Sequence, residues 1–181
     1  MKNNSPTLKE TFLKALECYK NKNLKEAEII CYKIINIDSN NFEATALLAT
    51  ISAANKNFAE AKKLLIKALD IKPKDLSILN NLGSVCRETG NLEDAVSYYK
   101  KAIQIEPDNP NANYSIGLTY HKLKELKKGK EHLERATKTK LDFALAFVAL
   151  ANIQVDLKEY DNAVKNYKKA IEINPRMLSA Y

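Results

Sequence analysis

Apolar residues recur along the chain three and four apart, in stripes broken by short polar stretches, which is the spacing of amphipathic helices. The stripes themselves repeat. Leu48, Leu82, Ile116 and Leu150 lie 34 residues apart, and so do Leu24, Phe58, Leu92, Leu126 and Tyr160. The first set belongs to one helix and the second to another, so each 34-residue unit predicts a helix, a turn and a second helix. With Leu8, Phe42, Leu76, Pro110 and Ala144 as first positions, the units span about 8–41, 42–75, 76–109, 110–143 and 144–177, and residues 178–181 begin a sixth. Two positions demand small side chains. The eighth reads Ala15, Ala49, Gly83, Gly117 and Ala151, and the twentieth reads Ala27, Ala61, Ala95, Gly129 and Ala163. Helix axes about 8–10 Å apart require such residues where they cross, so these are the predicted crossing points of each hairpin. Each unit buries its apolar face against its neighbours, which predicts one elongated array over residues 1–181.

Punctuation agrees with the stripes. Asn41, Asp75 and Asn109 stand where they can cap the next unit's first helix, Pro110 follows at a position needing no bonded amide, and Thr7 with Glu10 forms a capping box. Asn21-Lys22-Asn23, Asn55-Lys56-Asn57 and Thr89-Gly90-Asn91 supply residues tolerant of left-handed backbone between the helices. Pro73, Pro107 and Pro175 stop the second helices. Ser39 and Leu141 stand where the first and fourth units lack that proline, and a looser or shifted junction is expected after the fourth.

Asn81-Leu82-Gly83, Gly90-Asn91-Leu92, Ala95, Tyr98-Tyr99-Lys100-Lys101-Ala102 and Pro107 together resemble a tetratricopeptide repeat, and the resemblance runs over about residues 8–177. It implies an all-α fold, a right-handed α-solenoid of stacked antiparallel helix pairs, in which the first helices line a groove through their second, fifth, sixth, ninth, twelfth and thirteenth positions. The peptide site transferred in this way comprises Asn80, Asn81, Ser84, Arg87, Asn111, Tyr114, Ser115, Leu118, His121, Lys122 and Asn152. Amides and hydroxyls dominate it, suited to the main chain of an extended peptide, while Tyr114 and Leu118 offer apolar contact. Lysine and arginine are absent from the second, fifth, sixth and ninth positions of the second to fifth units, which disfavours a clamp for an acidic terminal carboxylate.

Composition narrows the function classes. Three cysteines, an odd number without a CxxC pair, argue for a reduced compartment and a cytoplasmic location; Cys18, Cys31 and Cys86 all fall at packing positions. His121 and His132 have no partner at metal-ligand spacing, and the four glycines all have structural assignments, so no metal, no cofactor and no catalytic set is expected. The net charge of +7 raises acidic partners, and Lys33, Lys67, Lys101, Arg135 and Lys169 form a potential cationic row at position 26. Carboxylates on the same helices and a lack of interleaved aromatics disfavour nucleic acid. The polar start, Met1 to Pro6, is unlike a signal peptide, and the longest apolar run, Phe143 to Ile153, is too short for a membrane span. A non-catalytic scaffold for a protein or peptide is the expected function; the alternative is the amino-terminal substrate-recognition arm of a larger glycosyltransferase-like or sulfotransferase-like enzyme. With no polar capping helix after Pro175, the terminal hairpin offers a face for self-association.

Overall fold

Thr7 shows how the sequence starts its helices: its hydroxyl accepts from the Glu10 amide at 3.2 Å while Glu10 Oε2 accepts from the Thr7 amide at 2.8 Å. Two amides that the helix itself leaves unbonded are thereby satisfied, worth about 1 kcal/mol. The computed structural model describes residues 7–176. Over the first half run α1 Leu8–Lys20, α2 Leu24–Ile37, α3 Phe42–Ala54, α4 Phe58–Ile71 and α5 Leu76–Glu88. The second half holds α6 Leu92–Ile105, α7 Pro110–Lys122, α8 Leu126–Thr139, α9 Ala144–Asp156 and α10 Tyr160–Ile173. First helices are 13 residues long and second helices 14 in every repeat. The expected start of a sixth repeat at 178–181, the last residue of the fifth, and the polar stretch Met1 to Pro6 lie outside the described residues. Among the described residues no strand occurs, and no helix is long and apolar enough to cross a membrane.

The caps fall where the sequence puts them. Asn41, Asp75 and Asn109 accept from the amides of Ala44, Ile78 and Ala112 at 3.0, 3.0 and 2.9 Å. The turns between helices differ from expectation in one respect. In all five, the amide two residues past the C-cap returns to a carbonyl five residues back, as Asn23 to Cys18 and Asn57 to Ser52, closing a Schellman motif. The left-handed residue is Lys22, Lys56, Gly90, Lys124 or Lys158. Asparagine therefore caps on either side of the turn instead of carrying its strained backbone: Asn23 and Asn57 accept from the amides of Glu26 and Glu60.

The helices fall into two compact units, residues 1–85 and 86–181, with the boundary inside α5. In the first unit α1 packs on α2 and α3 on α4, with α2 also against α3. Ala15, Ala27, Ala49 and Ala61, the small residues of the predicted crossings, are fully buried, and Ile34, Leu48, Ile51 and Leu65 fill the space around them. In the second unit α7 packs on α8 and α9 on α10. Cys86, Ala95, Tyr99, Ile116 and Tyr120 form one cluster, and Leu133, Ala149, Leu150 and Ile153 form the next. The α7–α8 crossing leaves no room for a side chain at either of its glycines. A Cβ on Gly117 would sit 3.1 Å from the Gly129 carbonyl oxygen and 2.7 Å from Leu133 Cγ, while one on Gly129 would sit 3.0 Å from the Gly117 oxygen.

The expected shift after the fourth repeat does not occur. α8 ends and α9 begins at the same positions as their counterparts, although Leu141 is 70% exposed and Phe143, at the N-cap, provides no side-chain bond. Proline ends a helix efficiently but is not needed where the turn's own bonds already fix it; here the Phe143 amide returns to the Lys140 carbonyl at 3.3 Å and the Ala144 amide to the Asp142 carbonyl at 3.1 Å. Cys31 and Cys86 are buried as expected, whereas Cys18 is half-buried. Burial first, and the Glu28 carboxylate second, push the Cys31 thiol up to about 12, so it stays protonated at neutral pH.

Candidate functional site

Positions two, five, six and nine of a first helix share one face because 3.6 residues complete a turn. In the first unit α1 lies beside α3, and this face opens into a depression of about 320 Å³. Phe12 and Leu16 from α1, Ala46, Leu47 and Thr50 from α3, and Ile78 from α5 make its floor. Ser77 and Asn81 stand at its edge, with Phe42, Glu43 and Asp75 at one end. The acids there are already engaged. Lys72 Nζ donates to Glu43 at 3.2 Å and lies 3.8 Å from the centre of the Phe42 ring, while Asp75 accepts from the Ile78 amide. A bond from its own backbone amide, then the Lys72 ammonium, hold the Glu43 carboxyl below the usual range. Thr50 returns its hydroxyl hydrogen to the Ala46 carbonyl at 2.9 Å. The depression thus presents apolar surface together with amide and hydroxyl groups.

The corresponding face of the second unit is cross-linked. His121 Nε2 and Asp156 Oδ2 lie 2.6 Å apart and tie α7 to α9. The bond from His121, and then its charge, draw the Asp156 carboxyl below its ordinary value. Tyr114 packs on Phe143 with ring centres 4.9 Å apart, and both Tyr114 and Leu118 rest on the cluster of Leu133, Leu150 and Ile153. Tyr167, from α10, donates to Asn152 Oδ1. Behind this face, Asn113 is fully buried and donates to the Pro107 and Asn109 carbonyls at 2.8 and 3.0 Å. Those two donations fix the amide's orientation, so its Oδ1 must accept from His132 Nδ1 at 2.9 Å. Burial, and then Arg135, hold the His132 imidazole below its ordinary value.

The sequence-derived site residues divide between the units. Asn80, Asn81 and Ser84 belong to the first and the remaining eight to the second. Asn81 lines the depression. Asn80 is half-buried, and its Oδ1 is sealed from water without a hydrogen-bond partner. In the second unit the Arg87 guanidinium contacts Glu88 at 3.3 Å, Asn111 and Lys122 are exposed, Ser115 is half-buried, and His121 and Asn152 already hold protein partners. Phe12, Leu16, Ala46, Leu47 and Thr50 also line the depression from groove positions of the same register, and most of them are apolar, which hydrogen-bonding chemistry alone does not single out. Of the row at position 26, Lys33, Lys101, Arg135 and Lys169 are exposed and Lys67 is half-buried. Lys169 pairs with Glu172.

Models of the tetratricopeptide repeat match residues 43–75, 110–143 and 144–177, and a related repeat model matches 83–124. Among curated proteins none matches the chain by sequence. Among solved structures, MamA is similar at a TM-score of 0.79 and 22% identity, over 91% of this chain and 96% of that one. PilF of Pseudomonas aeruginosa gives 0.85 and 21%, over 92% and 76%. YrrB, a tetratricopeptide protein described as having an unusual peptide-binding site, gives 0.74 and 19%, over 96% and 90%. At these identities the likeness concerns the fold alone, an α-solenoid of stacked antiparallel helix pairs. Repeat register, helix lengths and matching family models agree: the chain belongs to the tetratricopeptide repeat family.

Proposed function

We propose that the chain is a non-catalytic scaffold that holds a peptide segment against the first helices of its first unit. The depression floored by Phe12, Leu16, Ala46, Leu47 and Ile78 carries this reading, because apolar surface left open beside hydrogen-bonding side chains suits an apolar anchor on an extended main chain. Membership of a family of interaction repeats supports it, as does the peptide-binding site of the similarly folded YrrB. The eleven groove residues inferred from the sequence extend the reading to the second unit, with Asn111, Ser115 and Lys122 as its open contacts and Tyr114 and Leu118 as apolar ones.

Peptide display against the intact chain tests the proposal. Enriched peptides should share closely spaced apolar residues, and Ala46→Arg, on the half-buried floor, should reduce their affinity by about tenfold or more at unchanged helicity. Equal binding by the variant would remove the depression as the site, and absence of enrichment would remove the peptide function.

A further inference from the structure

Positions 22 and 25 of the repeat lie on the solvent side of the second helices, away from the buried stripe of Ala27, Ile30 and Ile34 in α2 and of Ala61, Leu65 and Ala68 in α4. In the second unit these positions carry Ser97 and Lys100, Glu131 and Glu134, and Lys165 and Lys168, all exposed. The first unit departs from that rule. Ile29 and Tyr32 occupy both positions in α2, and Ile66 follows Lys63 in α4, with exposures of 48%, 42% and 41%. No core requirement calls for these side chains, since the sibling helices fold with serine, glutamate and lysine there. Their spacing on α2, three residues apart, makes one ridge, and Ile66 repeats the register of Tyr32. The Tyr32 hydroxyl, held above its ordinary value by partial burial and then by Glu60 and Glu28, is within electrostatic reach of the start of α4.

The charged rim indicates what would cover this patch. Exposed ionic side chains on α2 and α4 are Lys25, Lys33, Lys63 and Asp70, three cations to one anion, while Glu26, Glu28, Glu60, Lys62 and Lys67 are half-buried. An anionic lipid surface would also favour lysine, but interfacial binding needs apolar side chains that reach about 5–10 Å into the headgroups. Ile29, Tyr32 and Ile66 are 48%, 42% and 41% exposed, so about half of each side chain stays within the protein surface. We infer that this face of α2 and α4 is a second docking surface, separate from the depression, for an acidic amphipathic helix of a partner protein. Such a helix sets its apolar stripe on Ile29, Tyr32 and Ile66 and its flanking carboxylates against Lys25, Lys33 and Lys63.

The test uses the full chain and a synthetic helix of about five turns with leucines on one face and glutamates flanking them. Its lysine-flanked counterpart and phosphatidylglycerol vesicles serve as alternative probes. The combined variant Ile29→Ser, Tyr32→Glu, Ile66→Glu installs residue types that sibling helices already carry, so circular dichroism should be unchanged. The glutamate-flanked helix is expected to bind the native chain at least about tenfold more tightly than it binds the variant, and about tenfold more tightly than the lysine-flanked helix binds the native chain. Ala46→Arg should leave this binding intact. The inference fails if the glutamate-flanked helix does not bind the native chain, binds the variant equally, binds no better than its lysine counterpart, or is lost with Ala46→Arg. Vesicle binding that disappears in the triple variant, without helix binding, would assign the patch to a membrane and overturn the partner-helix reading.

Discussion

The leading helices of the two units are built to one register yet meet solvent differently. In the first unit α1 and α3 leave an apolar depression whose neighbouring acids are held by Lys72 and by a helix-start amide. In the second, α7 and α9 are joined by His121 and Asp156, and Asn152 accepts from Tyr167 of α10. The fourth position of the repeat shows the same division inside the core. Thr45 bonds only within its own turn, to the Asn41 carbonyl at 2.7 Å, whereas Asn113 links the loop at Pro107, its own helix and His132 of α8. Groove and cap positions take no part in the hairpin crossings, so they can diverge without changing the fold. Of the two faces, the first leaves apolar surface in a depression and the second is joined by its own side chains.

The contrast can be broken most strongly at the glycine crossing. Gly117→Val should destabilise the second unit by about 3 kcal/mol, because the new side chain meets a backbone oxygen that has no room to move. Hydrogen exchange followed by mass spectrometry should show protection lost in α7 and α8 and retained in α1 to α4. Equal loss in both units would show that the two are energetically one.

Asn113→Ala should cost about 2 kcal/mol, since it strands the His132 donor and removes the Pro107 carbonyl's side-chain donor, while the Asn109 carbonyl keeps the backbone amide of residue 113. Thr45→Val, which strands nothing beyond its own turn, should cost about 1 kcal/mol or less by urea unfolding. Similar values for the two would mean that the Asn113 network adds nothing to local bonding.

Turn strain offers a smaller effect of opposite sign. Lys56→Gly relieves a left-handed lysine at φ 59° and should stabilise the first unit by about 1 kcal/mol. Gly90→Ala, at φ 81° with open space around the position, should lose a similar amount from strain alone. A thermal-shift series on both variants checks the pair, and no change in either would show that the Schellman turns tolerate any residue.

The mildest expected difference is in pH response. Both histidines lie in the second unit. Because burial holds the folded His132 imidazole below its unfolded value, its contribution is fully present above about pH 6.5 and is lost as pH falls from there through the lower folded value. The second unit should therefore loosen before the first between pH 7.5 and 5.5, read by exchange rates in α7 and α8. His132→Gln, which keeps a donor for Asn113, should flatten the profile; an unchanged profile would place the response elsewhere.

Period, small residues and caps made the fold legible in the letters. Each is a local feature repeated along the chain: a crossing needs Ala or Gly at the eighth and twentieth positions, and Asn, Asp or Thr caps four of the five first helices. Asn81, placed on the groove face by the same register, lines the depression. The apolar floor around it was harder to see, because Leu47 and Leu16 read equally well as core and as groove until burial separates them. Lysine as the left-handed residue was hidden too, since the turn's closing bonds, and not the residue's preference, impose that conformation.

Sequence alone determined the helix, turn and helix of each repeat and which small residues let the helices cross, because these depend on contacts a few residues apart or one repeat apart in register. Tertiary structure decided which polar groups are still available. Whether His121, Asn152 and Glu43 are open to a ligand depends on Asp156, Tyr167 and Lys72, side chains 15 to 35 residues away whose reach no local pattern encodes. Pairing at that range is set by packing geometry, and so the scaffold could be read from the letters while its open surface had to be seen.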